Sequence, residues 1–147
     1  MTPPEGGGTE ERFGNWTLRC FPATESLPRR CEMVQVLGDT QSKQEILLMA
    51  VGYPDAQSGP VAWLVLPLGI LLPPGLGLKI DQGETRGLPI RSCDPRGCAT
   101  PWPLSEADIA ALKQGQELVV IFQDIDGKKL GLPVSLQGFT AAFSQLR

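Results

Sequence analysis

The stretch E-L-V-V-I-F-Q-D-I-D-G-K-K-L-G-L-P-V-S-L, residues 117–136, decides the fold class. Two apolar-rich runs, 117–123 and 129–136, bracket Asp126 and Gly127. An Asp-Gly pair between such runs is a strong hairpin signal, because both central residues of a tight two-residue turn accept positive φ. Upstream, the same grammar repeats: short apolar runs are punctuated by Gly, Pro and Asp, which favours strands joined by turns over long helices.

Trp16, Leu18 and Cys20 alternate with Asn15, Thr17 and Arg19, and Val34 and Val36 alternate with Met33 and Gln35. That period of two predicts half-buried strands. The runs 46–51 and 61–66 are continuously apolar, the pattern of strands buried on both faces at the centre of the sheet system, with a short buried helix as the alternative for the first. Pro73, Pro74 and Gly75 predict a turn between 70–72 and 76–80, followed by a polar connection over 81–87 that leads to 88–93.

Two helices complete the expectation. Ser105 is placed to cap one, with Asp108 three residues later completing a capping box, Ile109 and Leu112 on one face and Gly115 as the stop. The other covers 138–146, where Phe139, Ala142, Phe143 and Leu146 recur at helical spacing. The predicted fold is mainly β: an antiparallel β-sandwich or barrel-like domain with one or two short helices. It spans 13–147 as one domain. Residues 1–12, rich in Gly, Pro and Glu with almost no apolar side chain, are expected to be a mobile tail.

Composition excludes several functions. With 13 Lys and Arg against 16 Asp and Glu, the net charge of −3 gives no general attraction to phosphate backbones, so nucleic acid is not an expected partner. The pairs Arg29–Arg30 and Lys128–Lys129 are read as solvated loop residues. The chain has no histidine, which removes the commonest general base and zinc ligand. No catalytic, cofactor-binding or metal-binding residue is assigned, and no cofactor is expected. The apolar stretch 61–78 is broken by Pro67, Gly69, Pro73, Pro74, Gly75 and Gly77 before it reaches the length of a transmembrane helix. No apolar signal-peptide core follows Met1, so the compartment is argued from the cysteines.

Nearest-neighbour closure pairs Cys20 with Cys31 and Cys93 with Cys98. The second pair encloses Asp94, Pro95, Arg96 and Gly97, a turn-forming sequence that brings the two ends together. A four-cysteine zinc site lacks the C-x₂-C knuckle, and a catalytic thiol pair lacks the C-x-x-C spacing. Structural disulfides imply an oxidising compartment, periplasmic or extracellular.

Other constellations carry bland readings. Asp124 to Gly127 resembles a fragment of a calcium loop but lacks the acidic residue at its end, where Ser135 stands. Asp81 and Glu84 lie in a polar loop as solvated carboxylates. Gly69, Gly75 and Gly77 serve turns. Trp16 and Trp63 fall on expected core strands. Trp102, held between Pro101 and Pro103 just after the second cysteine pair, is the candidate surface anchor.

In order along the chain, W-T-L-R-C (16–20) with Cys31, L-P-L-G-I-L-L-P-P-G-L (66–76) with Asp81, C-D-P-R-G-C (93–98), the helix end Leu112 to Gly115 and S-L-Q-G-F-T-A-A (135–142) resemble the invasion-associated locus B family of bacterial envelope proteins. The resemblance implies a secreted, periplasmic or peripherally outer-membrane-associated protein with no established reaction and no catalytic residues to carry over. The expected function is therefore non-enzymatic, through contact with an unidentified protein or cell-surface component. The alternative is a small-ligand carrier or hydrolase with an apolar pocket lined by 61–78.

Overall fold

The computed structural model describes residues 8–38 and 44–147. Eleven strands and two helices are formed among them. The strands are β1 (Thr9–Phe13), β2 (Trp16–Phe21), β3 (Arg30–Gly38), β4 (Glu45–Gly52), β5 (Val61–Leu66), β6 (Leu76–Ile80), β7 (Arg86–Leu88), β8 (Ser92–Asp94), β9 (Gly97–Pro103), β10 (Glu117–Gln123) and β11 (Lys129–Ser135). The helices are α1 (Glu106–Gln114) and α2 (Phe139–Phe143). A seven-stranded sheet in the order β1-β2-β3-β4-β5-β9-β8 faces a four-stranded sheet in the order β11-β10-β6-β7. Every pairing is antiparallel.

The sandwich class and its local disulfides follow the sequence reading closely. β10 and β11 form the expected hairpin, but the connection is the longer 124–128 loop, in which Gly127 has φ 83° and Asp126 does not take positive φ. The carboxylate of Asp124 accepts the backbone N–H groups of Asp126 and Lys128, so this acidic segment serves the turn. Cys20 bonds Cys31 and Cys93 bonds Cys98, and each pair lies directly opposite across neighbouring antiparallel strands. Ser105 caps α1 in a reciprocal box with Asp108, and Gly115 ends it.

The core lies between the sheets. Trp16, Leu18, Met33, Leu47, Met49, Ala62 and Leu64 point inward from the larger sheet, against Leu76, Leu78, Leu118, Val120 and Val134 of the smaller one. α2 closes one side: Phe139 meets Trp16 edge-on, with ring centroids 5.5 Å apart. Among the described residues, the Gln35 side chain bridges the layers. Its amide donates to the Ser135 carbonyl at 2.9 Å and accepts the Ser135 N–H at 3.0 Å, while the Trp16 indole N–H donates to the same carbonyl at 3.0 Å.

Four expectations need correction. Thr9 to Arg12, placed in the tail by composition, form β1 with Phe13 and pair with β2; an edge strand satisfies its backbone on one side and needs few apolar side chains. Residues 1–7 of the expected tail lie outside the described residues. The end of the polar connection, Arg86 and Gly87, pairs with β6 as the start of β7; of 88–93, Leu88 ends β7, Ser92 and Cys93 start β8, and 89–91 lie in neither strand. From 70–72 only Ile70 makes a bridge, to Asp124. β4 and β5 are not buried on both faces: Leu47, Met49, Val51, Ala62, Leu64 and Leu66 are buried, whereas the residues between them face outward with partial or full exposure.

Candidate functional site

The outward positions of β3, β4, β5 and β9 fall into register and form an apolar face on the larger sheet. One row reads Val34, Ala50, Trp63, Pro101, and the next reads Val36, Leu48, Val65, Ala99. Gly52, Val61 and Pro103 add a third. Antiparallel sheets with one solvated face ordinarily turn polar side chains outward. Here Trp63 is 42% exposed and Val36 41%.

Trp63 stands above its surroundings because its β4 neighbours on this face are small, Ala50 directly opposite and Gly52 one step along the sheet. A cleft lies on either side of it. The first, about 220 Å³, is bounded by Phe21, Arg30, Glu32, Ala50, Gly52 and Tyr53. The second, about 530 Å³, is bounded by Val61, Leu88, Pro89, Arg91, Pro101 and Pro103. Three prolines give the second cleft a stiff wall, since each fixes φ. Pro101 and Pro103 are tolerated within β9 because β8 pairs only with Gly97 to Ala99, which leaves an open edge beside them where no N–H is needed.

The charges on this face are sparse. Arg30 lies over the Phe21 ring, 4.9 Å from its centroid. Among the described residues neither Arg30 nor Arg91 has a carboxylate within ion-pair distance. Glu32 is the acidic residue in the first cleft, and its cross-strand neighbour Arg19 is held by Glu10 at 3.3 Å.

The structure redistributes the sequence-derived candidates. Trp102 is 2% exposed, because its place in β9 puts it on the same inward face as Cys98 and Thr100. The expectation of a loop anchor fails because P-W-P is strand. Trp63, assigned to the core, is the exposed tryptophan. The signal was parity: once Ala62, Leu64 and Leu66 point inward, Trp63 must point out, but a continuous apolar run conceals which set is which. Asp81, at φ 51°, accepts the backbone N–H groups of Gln116 and Glu117, so its carboxylate holds the start of β10 and is not paired with Glu84. Cys93 is exposed on edge strand β8 while Cys98 is 2% exposed.

Among the described residues this face brings together a protruding indole, rigid apolar walls and two guanidinium groups, and tryptophan and arginine are residue types enriched among those that dominate binding energy at protein interfaces.

Comparison with known proteins places this surface in context. The family model described as invasion associated locus B (IalB) protein matches residues 16–147. Invasion protein B homologs from two strains of Brucella abortus are each 29% identical, over 98% of this chain and 83% of their own length. The crystal structure of invasion associated protein B from Bartonella henselae superposes with a TM-score of 0.81 at 27% identity, covering 94% of both chains.

Proposed function

Because the chain belongs to the invasion associated locus B family, we propose that it is a non-enzymatic envelope protein, exported to the periplasm or beyond, that holds another protein or a cell-surface component against the outer face of its larger sheet. The observation that carries this reading is the apolar face centred on Trp63, where Trp63 and Val36 stay exposed although Val34 beside them is buried. Contiguous apolar surface of this kind, rimmed by charge, marks interaction sites. Two disulfides support an oxidising compartment. No helix among the described residues is long and apolar enough to cross a membrane.

Affinity capture from an envelope extract tests the proposal, comparing the unaltered protein with Trp63→Asp and with Ile125→Asp at the distant hairpin tip. Specific partners should be lost with Trp63→Asp and kept with Ile125→Asp. Identical capture by all three proteins would overturn it.

A further inference from the structure

We propose that the trough on both sides of Trp63 receives an extended acidic segment of the partner, about six residues long, with an apolar side chain against Trp63 and a carboxylate towards each of Arg30 and Arg91. This rests on the reading of the Trp63 face as a contact surface and adds the partner's chemistry to it.

Charge carries the first part of the argument. The protein has a net charge of −3, yet the two clefts beside Trp63 are lined by two cations, Arg30 and Arg91, and one anion, Glu32. Neither arginine is neutralised within the described protein. Arg91 is the sole charged residue bounding the larger cleft, whose other walls are apolar. An unpaired guanidinium in apolar surroundings is complementary to a carboxylate joined to an apolar body, and arginine binds carboxylates through paired N–H donors.

Geometry carries the second part. Arg30 lies on β3, and Arg91 lies beside β9, where its backbone N–H donates to Ala99. Crossing β4, β5 and β9 at about 4.8 Å per strand, and stepping five residues along them because Arg91 is level with Gln35, puts the two backbone positions about 25 Å apart. Six extended residues span about 20 Å at roughly 3.3 Å each, and the long side chains of arginine and of a terminal glutamate cover the remainder. Trp63 lies between them, so the middle of the segment meets the indole while its ends meet the arginines. Both clefts are open and Trp63 forms a wall of each, which suits a chain laid across the strands.

The test is fluorescence anisotropy with fluorescein-labelled Glu-Asp-Leu-Pro-Asp-Glu, beside analogues in which every acidic residue is serine or lysine. The acidic peptide should bind at least tenfold more tightly than the serine peptide, and the lysine peptide should not bind. Trp63→Ala should weaken binding about tenfold. Arg30→Ala and Arg91→Ala should each weaken it several-fold and reduce its salt dependence; all three residues are solvent-facing, and circular dichroism verifies the fold of each variant. Equal binding of the serine peptide, absence of saturable binding, displacement by dodecanoate at lower concentration than the peptide itself, or a dimer that Trp63→Asp dissociates would each overturn the acidic-segment proposal. If Trp63→Asp abolishes envelope capture while the peptide series fails, the contact-surface reading stands and this inference falls.

Discussion

Gln35 and Ser135, 100 residues apart, exchange two hydrogen bonds across the sandwich, at 2.9 and 3.0 Å. Because the Ser135 carbonyl also accepts the Trp16 indole, this backbone unit is where the two sheets are tied by polar contact inside an apolar core. Gln35→Leu should cost about 2–3 kcal/mol in urea denaturation, since it leaves the buried Ser135 N–H without its acceptor. Gln35→Glu should cost at least as much, because it removes the donated bond and buries a carboxylate. A loss below about 0.5 kcal/mol for Gln35→Leu would mean that apolar packing alone sets the sheet spacing.

Gly138 and Gly127 both have positive φ, 90° and 83°, but their surroundings differ. A Cβ at Gly138 would overlap the Phe13 carbonyl, where the β1–β2 turn packs against the approach to α2, whereas a Cβ at Gly127 meets nothing within 4 Å. Gly127→Ala should therefore cost only the left-handed backbone penalty, about 1–2 kcal/mol. Gly138→Ala should cost more than about 3 kcal/mol, because the backbones must also separate. Thermal unfolding of the two variants side by side measures the difference.

Trp102 and Trp63 provide the corresponding test of the inner and outer faces. Trp102→Ala should lose about 3–5 kcal/mol, as expected for a large aromatic removed from a packed core. Trp63→Ala should change stability far less, since its indole is 42% exposed. Equal losses would contradict the assigned faces of β5 and β9.

These two tryptophans also show where the sequence was legible and where it was not. The β10–β11 hairpin, the α1 capping box and the cysteine pairs are local events, set by residues a few positions apart, and each could be read directly. Trp63 and Trp102 depend on which parity of a strand faces the second sheet, a long-range property. In 61–66 both parities are apolar, so the hydrophobic pattern fixes a strand without fixing its face. In P-W-P the prolines mimic a loop, because the open edge that tolerates them appears only once β8 is seen to end early. The apolar outer face was present in the sequence as surplus hydrophobicity on β4 and β5, and was naturally assigned to burial.

Reduction should distinguish the disulfides. Cys93 is exposed, whereas Cys20 and Cys31 are both buried. Graded dithiothreitol followed by alkylation and mass analysis should label Cys93 and Cys98 before Cys20 and Cys31. Chain-entropy reasoning assigns about 3 kcal/mol to the closure of eleven residues and about 2 kcal/mol to that of five. Replacing Cys20 and Cys31 by alanine should therefore lower the urea midpoint more than replacing Cys93 and Cys98.

Asp94 gives the second cysteine loop a pH response. The Arg96 side chain, and then the Arg96 backbone N–H, hold its carboxyl below the ordinary value of 3.8. A depressed folded-state pKa contributes stability above the unfolded carboxyl range and loses it as pH falls through the lower folded value. The carboxyl ¹³C resonance of Asp94 should accordingly titrate below that of an unfolded aspartate, and Arg96→Ala should move it upward. An unchanged midpoint in Arg96→Ala would remove Arg96 as the cause.

The hydrogen bonds from Trp16 and Gln35 to Ser135 span 119 and 100 residues. For a chain delivered from its N-terminus, this means that β2 and β3 emerge long before the strand that completes their core. Until β11 arrives, Gln35 lacks Ser135 as its partner and the polar tie between the sheets cannot form. The polar lock between the sheets is thereby made only towards the end of delivery, after the strands it ties have already emerged.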